Sequence, residues 1–354
     1  MTQDLFYPYV LEPRLAPAIW GGDSLVRRLG KLGDPRVAIG ESWECWDTNR
    51  VRNGSLAGRT IADLRSSLGA ALLGGDDATR IFPILTKFID ARDWLSVQVH
   101  PDDAYAQRVE RQPFGKTECW HILSAAPGAE LVLGWTRETS PEEYRRRVRD
   151  GTLGELLRRI PVHAGDTFYL PAGTLHAIGA GILLYEVQQA SDLTYRIFDW
   201  NRVGSDGKPR PLHVEKAADV LDYGPARRGA VETVPYTLDG TRRMALVADA
   251  RFVLERIAVT SEPATLPTGE MPLIITTLAT AVELHCDGGG VLLPPYTTAL
   301  IPAAARFVQV TASDREGELL VVSRPRTQAD IGARLLAAGV PQDRVDRFKE
   351  QFTS

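Results

Sequence analysis

Cysteine is scarce in this chain of 354 residues. The three cysteines, Cys45, Cys119 and Cys286, are widely separated and include no CxxC pair. A disulfide framework needs an even set of organised cysteines, and a cysteine zinc site needs closely spaced pairs. The sequence therefore argues against a disulfide-stapled domain and against a zinc site built from cysteine.

Long apolar runs and an excess of one charge are also lacking. No run approaches the roughly 20 apolar residues that a membrane span requires, and the start, MTQDLFYPYV, has neither the basic leader nor the apolar core of a secretory signal. A net charge of -4 gives no bulk attraction to nucleic acid or to anionic lipid. We therefore expect a cytoplasmic protein that binds neither nucleic acid nor membranes. We also expect a monomer or weak dimer.

Strand signals dominate what is present. Short apolar or alternating runs are separated by Gly, Pro and Asp: FPILTKFI, WLSVQVH, AELVLGW, DTFYLPAG, GILLYEVQQ and LTYRIFDW. This pattern predicts an all-β protein, an antiparallel sandwich or barrel with a few added helices. The clearest helix signal is SPEEYRRRV, where Ser140 suits the N-cap, Pro141 the first helical position and Glu143 a capping box.

The length and the 44% hydrophobic content allow more than one core. The strand rhythm breaks at DYGPARRGA, residues 222–230, where Pro, Gly and charge take over. We expect three parts: a catalytic, metal-binding domain over 1–224, a smaller β domain over 225–326, and a helical extension over 327–354. In the extension, Ile331 and Leu335 lie one helical turn apart.

Four polar residues form a candidate metal site. Alternate side chains of a strand share a face, so Gln98 and His100 in LSVQVHPDD point the same way. Glu118 follows in GKTECW, and His176 in LPAGTLH. Two imidazoles, one carboxylate and one amide oxygen suit a borderline divalent ion such as zinc, with manganese, cobalt or iron as alternatives.

These motifs carry a family resemblance. PAGTLH resembles the second half of the cupin motif, although Glu118 lies beyond the usual cupin spacing. The chain resembles the type I phosphomannose isomerases, particularly their shorter bacterial branch, because it also contains the motifs IGESWE, SVQVHPDD, GKTE and EVQQASDLTYRIFDWNR. The match runs from IWGG at Ile19 through LHVEKA at Leu212. It implies cupin (jelly-roll) barrels in two β domains and the reversible isomerisation of mannose 6-phosphate and fructose 6-phosphate.

The resemblance also implies roles for individual residues. One zinc ion per chain would be held by Gln98, His100, Glu118 and His176. Lys87 and Ser96 would bind the substrate. The polar groups around the sugar would be Lys116, Glu186 and Arg196, and Arg196 stands at the position usually named catalytic.

An aldose to ketose isomerisation moves a proton between adjacent carbons through an enediolate, so it needs a base and a stabilised oxyanion. We expect Glu186 to transfer the proton, Lys116 to polarise a sugar oxygen, and Arg196, which stays protonated, to stabilise the enediolate. Alternatively, Glu186 and Arg196 form a buried ion pair. Lys87, Ser96 and Arg196 are all available to the phosphate, and the sequence does not choose among them.

Two other classes of function compete with an isomerase. A cupin oxygenase or other metal oxidoreductase usually presents open iron coordination by histidines and a carboxylate, whereas a glutamine takes one of those places here. A non-catalytic sugar-binding module would have an incomplete set of site residues. The complete set favours the isomerase.

Overall fold

The computed structural model describes residues 3–75, 81–203, 207–226, 229–268, 271–324 and 329–353. Within these ranges most of the regular structure is antiparallel β-sheet, which confirms the predicted all-β class. None of the helices in the described part of the chain is both long and apolar enough to cross a membrane.

The described residues form 22 strands, twelve before residue 200 and ten after it. The first twelve are β1 (Tyr9–Val10), β2 (Arg14–Gly22), β3 (Ile39–Cys45), β4 (Ile84–Ala91), β5 (Val97–Val99), β6 (Glu118–Ala125), β7 (Glu130–Trp135), β8 (Leu157–Pro161), β9 (Thr167–Leu170), β10 (His176–Ile178), β11 (Ile182–Gln189) and β12 (Tyr195–Phe198). The next ten are β13 (Val234–Leu238), β14 (Thr241–Ala248), β15 (Val253–Thr260), β16 (Ala264–Pro267), β17 (Leu273–Thr277), β18 (Val282–Cys286), β19 (Gly289–Leu293), β20 (Thr298–Ile301), β21 (Phe307–Ala312) and β22 (Glu316–Ser323).

The helices are short. They are α1 (Ser24–Arg27), α2 (Ile61–Leu68), α3 (Ala70–Leu73), α4 (Asp103–Tyr105), α5 (Pro141–Arg149), α6 (Val214–Val220), α7 (Ala329–Ala337) and α8 (Gln342–Glu350). The last two lie within the segment predicted as a helical extension. Single 3₁₀ turns occur at Gln3–Leu5, Gly54–Leu56, Leu153–Leu156 and Ala303–Ala305, and a π-helical turn at Ala106–Glu110.

Helix α5 confirms the helix predicted at SPEEYRRRV. Ser140 Oγ accepts a hydrogen bond from the Glu143 backbone N–H at 3.2 Å, and Pro141 is the first helical residue. The carboxylate of Glu143 does not complete a capping box. It binds Arg137 at 2.7 Å and the Thr139 hydroxyl at 3.1 Å instead, because a guanidinium is a stronger donor than a backbone N–H.

The chain forms two compact units. The terminal unit consists of Met1–Arg14, Trp43–Thr86 and Glu232–Ser354, and the site unit consists of Leu15–Ser42 and Lys87–Val231. The last segment of the terminal unit starts next to the boundary expected at 222–230, but two amino-terminal segments group with it. The three-part division at 224 and 326 stays a prediction.

The terminal unit contains a seven-stranded sheet, in the order β1-β20-β17-β22-β15-β14-β13, and a four-stranded sheet, in the order β16-β21-β18-β19. Its core is aliphatic, with Ile275, Val282, Val308 and Leu319 among its buried members. Alternation of buried and exposed residues along β18 and β21 shows that the four-stranded sheet has one solvent-facing side.

The site unit contains most of a six-stranded sheet, β2-β3-β4-β11-β6-β9, and a five-stranded sheet, β12-β5-β10-β7-β8. Strands β4 and β11 are buried along their whole length, so both faces of each strand are inside. In β5, Val97 and Val99 pack into an apolar cluster. On the opposite face Gln98 is partly buried, and the flanking residues Ser96 and His100 are buried.

The approach of β2 to β3 depends on glycine. A Cβ placed on Gly21 would lie 2.5 Å from the backbone nitrogen of Gly40. We expect Gly21→Ala to lower the free energy of unfolding by about 1–3 kcal/mol, since neither backbone can move freely in a packed sheet. Gly154→Ala is the control, because nothing lies within 4 Å of its added Cβ. Thermal unfolding followed by circular dichroism measures both, and equal midpoints would contradict the expectation.

Candidate active site

The pairing of three strands brings predicted site residues onto one face. Gln98 of β5 pairs with His176 of β10 on one side and with Arg196 of β12 on the other. Residues directly opposite each other in antiparallel strands project to the same side of the sheet. The three side chains therefore share a face, although they are up to 98 positions apart in the sequence.

His100, Glu118 and His176 form a buried cluster. The Nε2 atom of His100 lies 3.6 Å from Glu118 Oε2, and Nε2 of His176 lies 3.3 Å from Glu118 Oε1. The candidate ligand atoms all lie within 4.8 Å of one another. Within the described ranges this is the one group of three or more His, Cys, Asp or Glu side chains placed closely enough to hold a metal ion.

Backbone carbonyls orient both imidazoles. His100 Nδ1 donates to the Leu193 carbonyl, and His176 Nδ1 donates to the Thr174 carbonyl, both at 2.8 Å. A proton on Nδ1 leaves the lone pair on Nε2, which faces Glu118. Burial, together with the ammonium of Lys116, lowers the pKa of His176 to about 3 and that of His100 well below its ordinary value. Both rings are thus neutral at neutral pH, the state that binds metals.

Gln98 and Lys116 border the cluster. The Gln98 Nε2 atom lies 3.3 Å from His176 Nε2, so service as a metal ligand requires its amide oxygen to turn inward. Lys116 Nζ lies 3.1 Å from His100 Nε2 and donates a hydrogen bond to Glu118. Burial raises the pKa of Glu118 to about 7, against the opposing effect of Lys116. Its buried Oε1 accepts no hydrogen bond from the described residues, and an electron-rich atom in that position fits a divalent cation.

Glu186 lies in a second charged group. Lys87 Nζ is 3.3 Å from a Glu186 oxygen and 3.5 Å from a Glu41 oxygen, and Trp120 Nε1 donates to Glu186 Oε2 at 2.9 Å. Burial by itself would raise the pKa of Glu186, but Lys116, Lys87 and the indole N–H bring it below its ordinary value. Glu186 is therefore ionised at neutral pH and can accept a proton. Sequence reasoning missed Glu41 and Trp120, whose contacts depend on strand pairing.

The alternative pairing of Glu186 with Arg196 is wrong. Glu186 lies on β11 of the six-stranded sheet, where Lys87 is its cation. Arg196 lies on β12 at the edge of the five-stranded sheet, and its Nη1 atom donates to the Pro211 carbonyl at 3.1 Å. No ion pair joins the two among the described residues.

A cluster of arginines follows β12. The buried carboxylate of Asp199 accepts from Arg202 Nη2 at 2.6 Å and from Arg210 Nε and Nη2 at 2.7 and 2.6 Å. Burial and the charge of Arg210 lower the pKa of Arg196, which places Arg196 in the field of this cluster. Arg202 also lies 3.5 Å from the exposed Asp93. Three guanidinium groups against two carboxylates leave an excess of positive charge that the strand pattern did not predict.

The last predicted residue, Ser96, is buried directly before β5. It shares the face of Gln98 by strand alternation.

Comparison with known proteins identifies the family. The model for the phosphomannose isomerase type I catalytic domain matches residues 9–119. Mannose-6-phosphate isomerase from Streptococcus mutans is 43% identical over 221 residues, which cover 61% of this chain and 68% of that protein. The chain belongs to the type I phosphomannose isomerase family. The resemblance predicted from the motifs is therefore confirmed.

Solved structures of this family share the fold. Mannose 6-phosphate isomerase from Bacillus subtilis superimposes with a TM-score of 0.81 at 31% identity, over 89% of this chain and 99% of that one. A zinc-bound mannose 6-phosphate isomerase is more distant, with a TM-score of 0.70 at 15% identity over 90% of this chain and 99% of that one. The family architecture thus extends over nearly all of this chain.

Lys87 neutralises a buried carboxylate, and its removal is expected to destabilise the protein. Lys87→Met leaves Glu186 without its nearest cation, which should cost about 3–5 kcal/mol at pH 7. The pKa of Glu186 is depressed in the folded wild type, so its stabilisation is present above its ordinary pKa and is lost as the pH falls below it. In the variant, burial without Lys87 should raise the pKa of Glu186, so that its carboxylate takes up a proton and is no longer an unpaired charge. The difference in free energy of unfolding between variant and wild type should therefore narrow as the pH falls from 7 to 4.

Chemical denaturation at several pH values measures this gap. Lys216→Met is the matched control, because Lys216 forms a half-exposed pair with Glu110, and such pairs contribute about 0–1 kcal/mol. A gap that is as wide at pH 4 as at pH 7 would contradict the expectation.

Proposed function

We propose that this chain interconverts mannose 6-phosphate and fructose 6-phosphate and so supplies mannose metabolism or GDP-mannose precursors. The observation that carries the proposal is the buried cluster of His100, Glu118 and His176 beside an ionised Glu186, in a member of the type I phosphomannose isomerase family. A cytoplasmic location and a monomeric or weakly dimeric state stay predictions.

Zinc is the proposed cofactor. His100 and His176 would supply imidazole nitrogens, Glu118 a carboxylate oxygen and Gln98 its amide oxygen, a donor set that suits zinc. The zinc-bound isomerase structure of the same fold supports this choice. When bound, zinc would act as a Lewis acid and stabilise negative charge on the sugar oxygens.

Glu186 is the proposed base for proton transfer between C2 and C1. Its carboxylate is ionised and is held by Lys87 and by the Trp120 indole, so its oxygens are fixed before the substrate arrives. The buried Lys116 ammonium would donate to a sugar oxygen, and the partly buried Arg196 guanidinium would stabilise the enediolate.

The arginine cluster is the proposed phosphate site. The charge of Lys87 is already engaged by Glu41 and Glu186, and two carboxylates beside it would repel a phosphate dianion. Arg196, Arg202 and Arg210 together carry one positive charge more than the two neighbouring carboxylates, Asp199 and Asp93, can neutralise. We assign the phosphate to Arg202 and Arg210 with Arg196 at their border, and place Lys87 and Ser96 on the sugar side.

The reaction and the metal site are tested together. We expect metal-stripped protein to convert mannose 6-phosphate to fructose 6-phosphate only after zinc is added, in a coupled assay. His176→Ala should bind less zinc and lose turnover by on the order of a hundredfold or more, because it removes a ligand of the Lewis acid. His163→Ala, at an 80% exposed side chain, should behave as wild type. Folded protein that stays inactive with every divalent metal would disprove the isomerase proposal.

The phosphate site has its own test. Arg210→Met should raise KM for mannose 6-phosphate about tenfold, because a charge-assisted hydrogen bond contributes about 1.5–3 kcal/mol. The effect on kcat should be smaller, since the phosphate does not react. Arg145→Met removes a surface arginine that pairs with Glu215 and serves as the control. An unchanged KM for Arg210→Met would move the phosphate away from this cluster.

A further inference from the structure

Arg196 lies on a strand edge with no neighbouring strand outside it. Strand β12 is the first strand of the five-stranded sheet and pairs with β5 alone among the described strands. An edge strand presents backbone N–H and C=O groups that need other partners. At Arg196 both of these groups bind a single residue, His213.

His213 forms hydrogen bonds to this strand edge with both its backbone and its ring. The His213 backbone N–H donates to the Arg196 carbonyl at 2.7 Å, and the Arg196 backbone N–H donates to His213 Nδ1 at 3.1 Å. The ring nitrogen thus takes the place that a carbonyl of a further strand would occupy. Two residues upstream, the Pro211 carbonyl accepts from Arg196 Nη1 at 3.1 Å. The segment 211–213 therefore holds both the backbone and the side chain of Arg196.

Helix α6 fixes His213 in turn. The His213 carbonyl accepts the first helical hydrogen bond, from the Ala217 N–H at 2.9 Å. Ala217 and Ala218 are buried in the apolar cluster that includes Tyr195. The support for Arg196 is therefore continuous with the core and does not depend on a solvent-exposed loop.

The bond from Arg196 requires an unprotonated Nδ1 on His213. The charged groups around the ring are Arg196, Lys216 and Glu110, and the ring of Tyr195 lies 6.2 Å from it. Burial and the charges of Arg196 and Lys216 lower the pKa of His213, against the opposing effect of Glu110. The imidazole is thus neutral at neutral pH, as its acceptor role demands.

We propose that His213 is a positioning residue for Arg196, which sets the placement of its guanidinium for the isomerisation. The proposal rests on the proposed function, because it takes Arg196 as the group that stabilises the enediolate. Among the described residues, no hydrogen bond or ion pair joins His213 to a proposed metal ligand, and His213 has no place in the machinery described above. Displacing a catalytic group by about 1 Å can cost about a hundredfold in rate.

The test compares two substitutions of similar size. His213→Leu removes the acceptor, whereas His213→Asn retains one, because the Asn Oδ1 atom can occupy the place of Nδ1. We expect kcat to fall tenfold to a hundredfold in the leucine variant and less than about threefold in the asparagine variant, with KM changing less than kcat. Zinc content should equal that of wild type in both variants.

A second readout does not depend on activity. The Arg196 amide should be protected from hydrogen exchange in wild type and in His213→Asn, and should exchange faster in His213→Leu. The inference would be overturned if His213→Leu kept kcat within threefold of wild type and its Arg196 amide stayed protected. It would also be overturned if His213→Asn lost as much kcat as His213→Leu. Should the wild type itself lack turnover, the isomerase proposal fails, and the exchange data alone decide whether His213 supports Arg196.

Discussion

The balance of buried charge in the site unit is the constraint on which the rest of the site depends. Glu118 and Glu186 are both buried, and a carboxylate taken out of water costs several kcal/mol unless a cation or hydrogen bonds replace the water. Lys116 and Lys87 supply that replacement. A change in either lysine therefore acts on more than one carboxylate.

The same balance gives two glutamates different properties. Glu118 has a raised pKa of about 7 because burial dominates, whereas the pKa of Glu186 is lowered by two lysines and an indole N–H. Paired carboxylates whose environments move their pKa values apart can serve different roles in one reaction. The division proposed above, with Glu118 as a metal ligand and Glu186 as a base, follows this separation.

Much of this arrangement was predictable from the sequence, and the exceptions have a common cause. Strand alternation correctly placed Gln98 and His100 on one face. The alternation of residues along one strand does not show which strands become neighbours. The hydrogen bond from Trp120 to Glu186 and the ion pairs of Lys87 with Glu41 and Glu186 were therefore not predicted. The alternative pairing of Glu186 with Arg196 was wrong for the same reason, because two side chains that face a barrel interior need not contact each other. Helices such as α2 were missed despite a capping box between Thr60 and Asp63, because a short segment carries little periodic signal.

The charge distribution also explains how a chain of net charge -4 can receive a phosphate dianion. The interior around Glu118 and Glu186 is rich in carboxylates, and the excess of guanidinium groups lies at the end of β12, with Arg196 between them on the face of Gln98. A phosphate would be repelled by the first region and attracted by the second. With the proposed assignments, a sugar phosphate has one favourable orientation, with its phosphate at the arginines and its reacting carbons beside the metal cluster. Arg196 lies between the two regions and is the proposed stabiliser of the enediolate, so the residue that fixes its backbone acts mainly on the chemical step.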